Sequence, residues 1–278
     1  MDERSYEEFT QTLLKRLAGE ERVLGLIALG SMADPTRRDQ WSDHDFWIIT
    51  QSGAQDRFLD DLSWLPNAHA IILSFRQGTQ YSTVLYRNGH SIEFAVFDPM
   101  QMQHGKTERY RVLFDKANIA AAMQQIHAQT LMTIRAEQSD VSDTILLNYF
   151  FLQLLIGVQR YLRGELLSSQ KDISFSAVNN LLALVQRHLT PQNPAMGDRF
   201  DTRRRFEQVY PSLAEELHAC LRQACPAAAL GLLLLVDKHL APVIPDYPQK
   251  LADVTRESIY RLSQQTHVTL SNKRDDHD

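Results

Sequence analysis

The reading of this chain turns on ALGSMADPTRRDQWSDHDFWIIT, residues 28–50. An apolar run, Val23–Leu29, ends in Gly30-Ser31. A polar loop follows, then Ser42-Asp43-His44-Asp45, then the apolar residues 46–49. The pattern predicts strand, tight turn, short helical loop and second strand. Asp43 and Asp45 are two apart on that second strand, so both carboxylates leave one face of the sheet. Side by side they repel, and their closeness asks for a cation, a shared proton or strong local hydrogen bonding. Mg²⁺ suits such a pair, because it binds one or two carboxylates and completes its shell with substrate phosphates. Gly30-Ser31 supplies the phosphate side. Glycine lets backbone N–H groups approach an anion, and a following helical turn aims its N-terminus there.

Outward from this stretch, residues 81–98 read YSTVLYRNGHSIEFAVFD, two alternating runs joined by Asn88-Gly89. That is a strong hairpin signal. Glu93 lies on its second arm.

Gly-Ser, an intervening loop and Asp-x-Asp between apolar runs resemble the signature of the DNA polymerase β-type nucleotidyltransferase superfamily. Within it the resemblance is to the antibiotic nucleotidyltransferases, the lincosamide and aminoglycoside enzymes. That family needs a third carboxylate on a later strand, and Glu93 after its Asn-Gly turn meets the requirement. The resemblance implies an enzyme that moves a nucleoside monophosphate, AMP from ATP or another NTP, onto a hydroxyl of a small acceptor. Asp43, Asp45 and Glu93 would hold two Mg²⁺ ions, and Gly30 and Ser31 the triphosphate. Glu93 is either third ligand or general base. A lincosamide, an aminoglycoside or an unrelated metabolite stays open as acceptor. So does a homodimer, since relatives are often dimers. A second reading is a regulatory, antitoxin-type module that modifies a protein partner or only binds nucleotide. Arg261 and His267 have a spacing seen in helical partners of such modules, but residues six apart on a regular helix face different ways.

The chain of 278 residues is long enough for two domains with proper cores. With 44% hydrophobic and 23% charged residues it has the composition of a soluble protein. A net charge of −5 argues against a dedicated nucleic-acid binder and suits a cationic small molecule. Cys220 and Cys225 form no Cys-x-x-Cys pair, which favours a reducing, cytoplasmic setting without structural zinc. The start, MDERSYEEF, is acidic and does not read as a signal peptide. The apolar residues 145–158 are interrupted by Asn148 and Gln153 and read as a buried helix rather than a membrane span.

Helical spacing of Phe9, Leu13, Leu14 and Leu17 predicts an amphipathic first helix over 5–17. A short helix over 55–62, a strand over 69–75, the hairpin and a strand over 111–114 complete an α/β half, 1–117. From 118 to 270 the pattern is helical, with helices expected over 117–137, 141–162, 176–189, 202–209, 212–224, 227–240 and 246–265. The whole is α+β, a mixed catalytic sheet domain followed by an all-α bundle that would select the acceptor. The charged residues 271–278 read as a disordered tail.

Other residues have plainer readings. His44 should face away from the aspartates as a hydrogen-bonded supporting residue. Asp34 and Asp39 read as turn and cap residues. Trp47 reads as core, and Trp41 is free to stack on a base. Arg37 and Arg38 either reach a triphosphate or lie in a solvated loop. Arg203-Arg204-Arg205 reads as a surface basic run. Arg163, Glu165 and Lys171 carry no assigned role.

Overall fold

The computed structural model describes residues 1–272, with backbone alone at 138, 139 and 265–272. It divides into two compact units, Met1–Arg135 and the chain from Ala136 onward.

The first unit opens with α1 (Glu3–Gly19), capped by the Asp2 carboxylate, which accepts from Ser5 N at 2.7 Å. β1 (Val23–Leu29) leads directly into a single helical turn, α2 (Gly30–Ala33), and a 3₁₀ turn, Pro35–Arg37. β2 (His44–Thr50) and α3 (Gln55–Asp60) follow. Then come β3 (Ile71–Gln77), β4 (Tyr81–Tyr86), β5 (Ser91–Phe97) and β6 (Tyr110–Asp115). The strand expected over 69–75 starts later because a 3₁₀ turn occupies Ala68–Ala70.

The sheet order is β3-β4-β5-β2-β1-β6. Only β2 and β5 run parallel among the strand pairs described, with α3 and the β3–β4 hairpin forming the crossover. Alternation sends even-numbered residues of β2 and β5 to one face and odd-numbered ones to the other. Phe46, Ile48, Ile92, Phe94 and Val96 pack against Phe9, Leu13 and Leu17 of α1 and Phe58 of α3. Each such side chain, fully buried, contributes about 1.5–3 kcal/mol. On the other face, Trp47, Ile49, Ala95 and Phe97 pack with Ile119, Met123 and Ile126 of α4 (Ile119–Ser139). The chain is helical from Ile119, yet the first unit extends through Arg135 because the start of α4 roofs this face.

The all-α part continues with α5 (Asp143–Leu162), whose N-cap is Ser142. By length and composition α5 could cross a membrane. Leu146, Leu147, Phe150, Phe151, Leu154 and Val158 are nonetheless buried in the helical core, as a core helix requires. α6 (Leu166–Gln170), a π-helix (Lys171–Ala177) and α7 (Val178–His188) form one continuous helical run. Sequence periodicity predicts only its last part, from 176. Gly157 explains the packing at the join. A Cβ there would lie 2.6 Å from Ile173 Cγ1, so only glycine lets α5 and the π-turn come this close. α8 (Phe206–Val209) starts four residues later than expected, after Arg205 with φ 62°. α9 (Pro211–Leu221), α10 (Cys225–His239) and α11 (Gln249–Asn272) complete the bundle, with Pro211 and Pro226 in first turns.

The expected tail lies outside the described residues from 273 onward, and the His267 side chain lies outside them too. Several charges of the helical half pair with one another. Arg160 pairs with the buried Asp172 at 2.7 Å, and Arg163 with Glu165 at 3.0 Å. Arg203 is not part of a free basic run. It donates to Phe175 O at 2.8 Å and Asn179 Oδ1 at 2.9 Å and lies over the Phe175 ring, stapling the π-turn.

Candidate active site

Three strand ends meet at one end of the sheet. β1 finishes there at Leu29, and the parallel strands β2 and β5 begin there. The parallel register sets Asp45 directly opposite Glu93, followed by Trp47 opposite Ala95 and Ile49 opposite Phe97. The two acids therefore extend an apolar column of the α4-covered face by one step, outward into solvent. Register partners on adjacent strands lie about 4.8 Å apart. Asp45 is half-buried and Glu93 exposed.

Gly30 joins them. It has φ +48°, the left-handed region, as it turns β1 into α2. A Cβ on it would sit 3.7 Å from Asp45 Oδ2, so the glycine and the carboxylate are neighbours. Ser31 is half-buried in the same turn. Arg111 of β6 braces that turn from outside by donating to Met32 O at 3.2 Å. Arg109 lies 3.6 Å from Asp34, whose carboxylate also accepts from Thr36 N at 3.1 Å and from the Thr36 hydroxyl at 2.6 Å. Those hydrogen bonds, with the arginines, hold the Asp34 carboxyl below its ordinary value against burial. Asp34 and Asp39 are thus the turn residues their sequence context suggests.

Asp43 does not lie within β2, contrary to the two-on-a-strand expectation. The ladder begins at His44, and the Asp43 carbonyl instead accepts from the Tyr6 hydroxyl at 2.8 Å. Burial pushes the Tyr6 phenol up, with Arg38 opposing and Asp43 and Asp45 adding to the rise.

His44 is fully buried on the α1 face, away from Asp45. Its Nε2 lies 2.8 Å from Thr10 Oγ1 and its Nδ1 2.8 Å from His90 Nε2. Its ring stacks on Tyr6 at 3.8 Å between centroids. Burial pulls the His44 imidazole down to about 2, with His90 and Arg38 adding, and burial pulls His90 down to about 4. Both rings are neutral at neutral pH.

Arg37 and Arg38 are not in a solvated loop. Arg37 is buried. The Arg38 side chain, 10% exposed, pairs with Glu7 at 3.2 Å and lies 4.5 Å over the Tyr6 ring. Its Nε is buried without a hydrogen-bond partner. Trp47 is core and Trp41 is 84% exposed. Among the described residues, no three His, Cys, Asp or Glu side chains stand close enough to hold a metal ion by themselves.

Sequence reasoning did not find Tyr6, Thr10 or His90. Tyr6, Phe9 and Thr10 share one helical face, which reads as core, and nothing local ties that face to His44.

The model of the streptomycin adenylyltransferase family matches residues 3–218. The chain belongs to this family. It is a nucleotidyltransferase, an enzyme that transfers a nucleotide moiety. No curated protein matches the sequence. Several solved structures resemble it distantly, two of them as follows. One is an aminoglycoside 6-adenyltransferase from Bacillus subtilis, 16% identical, covering 91% of this chain and 98% of that one, at a TM-score of 0.31. The other is a nucleotidyltransferase-like protein from Exiguobacterium sibiricum, also 16% identical, covering 84% of this chain and 75% of that one, at 0.29. At that distance neither bears on the site.

Proposed function

We propose that the enzyme transfers AMP from ATP to a hydroxyl of a small cationic acceptor of the aminoglycoside type, releasing pyrophosphate. The observation that carries this reading is the register pairing of Asp45 with Glu93 beside Gly30. The family name supports the acceptor class. The net charge of −5 suits a polycation.

The donor set fits Mg²⁺. This ion rarely sits in an all-protein cage and takes one or two carboxylates plus substrate phosphates. Two register-paired carboxylates next to a glycine turn supply the oxygen ligands such an ion takes from protein. Asp45 and Glu93 would hold it, with Asp43 one step away. Bound there, Mg²⁺ neutralises triphosphate charge and lowers the pKa of the acceptor hydroxyl.

The chain's own groups do the rest. Gly30 and Ser31 offer backbone N–H groups and a hydroxyl to the β- and γ-phosphates. Glu93, the most open of the acids, serves as a further oxygen ligand or takes the proton of the attacking hydroxyl. In the transfer, the acceptor oxygen bonds to the α-phosphorus as the bond to the β-phosphate bridging oxygen breaks, and pyrophosphate leaves with that electron pair. Positioning and charge neutralisation supply most of the acceleration in such reactions.

The test is a screen for pyrophosphate release with each NTP and Mg²⁺ against aminoglycosides, lincosamides and other hydroxyl-bearing metabolites. Release with ATP and an aminoglycoside supports the proposal. Labelling of the protein itself in place of a small molecule refutes it in favour of a regulatory module.

A further inference from the structure

Thr10 stands one helical turn after Tyr6. Its hydroxyl proton is used on Tyr6 O, at 2.9 Å. Thr10 Oγ1 therefore has only lone pairs left for the imidazole 2.8 Å away, and His44 Nε2 must carry the hydrogen. A neutral ring protonated at Nε2 accepts at Nδ1. His90 Nε2, 2.8 Å from that nitrogen, must then donate. One proton arrangement satisfies every contact, and Thr10 sets it.

The network lies on the sheet face opposite the acids, yet it ties together the strands that carry them. His44 sits between Asp43 and Asp45 at the start of β2. His90 immediately precedes β5, three residues before Glu93. α1 grips the same point twice more, through the Tyr6 hydroxyl on Asp43 O and the Tyr6 ring on His44. Arg38 lies over the Tyr6 ring as well, and the two neighbours need opposite faces of it.

We propose that Thr10 is a positioning residue of the active site: by fixing the His44 tautomer it locks the starts of β2 and β5 to α1 and sets the separation of the Asp45 and Glu93 carboxylates. This rests on the reading of those acids as metal ligands. Breaking a buried network that served stability alone would lower the melting temperature and leave metal affinity untouched. A positioning network moves metal affinity at matched stability.

The experiment is Mn²⁺ binding to the full chain in the presence of ATP, followed by electron paramagnetic resonance, beside thermal melts. Five variants are compared with the wild type. Thr10→Val removes the acceptor at near-equal shape and Thr10→Ser restores it. His90→Leu removes the donor to His44 Nδ1 from outside α1. Leu17→Val loosens α1 in the core, away from the network. Asp45→Asn removes a proposed ligand. Partners that orient metal ligands are worth roughly tenfold or more in affinity. Thr10→Val and His90→Leu should each weaken Mn²⁺ binding about tenfold, Thr10→Ser should restore it, and Leu17→Val should leave it unchanged at a similar melting temperature. Wild-type affinity in Thr10→Val or His90→Leu, or an equal loss in Leu17→Val, overturns the positioning role while Asp45→Asn still binds poorly. Equal binding by the wild type and Asp45→Asn overturns the metal reading itself, and the positioning role with it.

Discussion

Replacing Asp45 by Asn separates what the acid pair costs the fold from what it does for the reaction. Asp45 and Glu93 are register partners on adjacent parallel strands. Their spacing is about 4.8 Å, and with Glu93 in solvent a water-like dielectric applies, so two unit charges repel by about 1 kcal/mol. Asn has nearly the volume of Asp and removes that repulsion without opening a cavity. In chelator, Asp45→Asn relieves that repulsion and gives up the carboxylate's other contacts together, so its melting temperature should stay within about 5 °C of the wild type's. Saturating Mg²⁺ and ATP should open a clear gap in favour of the wild type. A ligand at a hundred times its Kd stabilises the wild type by about 2.7 kcal/mol, and the variant should lose most of that gain. Transfer should fall to background. The assay is a pair of thermal melts, with EDTA and with Mg²⁺ and ATP, beside pyrophosphate release. A variant that is less stable in EDTA yet keeps the full Mg²⁺–ATP upshift refutes the assignment, because the carboxylate would then be serving the fold and not an ion.

Three further outcomes follow from the same geometry. His44 and His90 have folded-state values near 2 and 4, below the unfolded 6.5, so the unfolded chain takes up their protons first. Stability should be full above about pH 6.5 and fall as pH drops toward 4. Urea melts at stepped pH check this, and a profile no flatter in His90→Leu overturns it. Gly30→Ala places a methyl group in the left-handed region at ordinary contact distance from Asp45 Oδ2. It should cost about 1–2 kcal/mol through backbone strain rather than a clash, and weaken Mg²⁺–ATP binding, both readable by calorimetry. Gly157→Ala puts a Cβ 2.6 Å from Ile173 Cγ1. It should destabilise the helical unit by about 1–3 kcal/mol, and combined with Ile173→Ala, which removes the clashing Cγ1, it should cost less than the two single losses added together. Additive losses in the double variant would show that the close crossing is not the cause.

The elements that position the acids were legible because their signals are local. Two apolar runs around a glycine bend mark β1 and β2, and two alternating runs around an Asn-Gly turn mark β4 and β5, without any knowledge of partners. The pairing of Asp45 with Glu93 is different in kind. Register between parallel strands is settled by the apolar columns above and below, Trp47 with Ala95 and Ile49 with Phe97, which only the folded sheet brings together. Arg38 shows the same limit from the polar side. Its loop context suggests solvent, but the Tyr6 ring and Glu7, both on α1, cover it. The π-turn left no periodic trace either, since its existence depends on a glycine on another helix.

His44 joins these two kinds of information. Its position between two aspartates was visible, and strand alternation alone sends it to the opposite face. A histidine buried on an apolar face breaks the rule for that face, as a carboxylate breaks it for the other. β2 thus departs from the expected pattern on both sides at the same end. Local inconsistency of this sort persists only where surrounding bonds over-determine the conformation, and it concentrates at sites of function. Here the bonds are identifiable. Thr10 and Tyr6 come from α1 and His90 from the hairpin, and together they hold a strand start that carries like charges toward solvent. That grip keeps β2 and β5 in register at this end, and on the reading proposed above the spacing it keeps is the one that receives the cation.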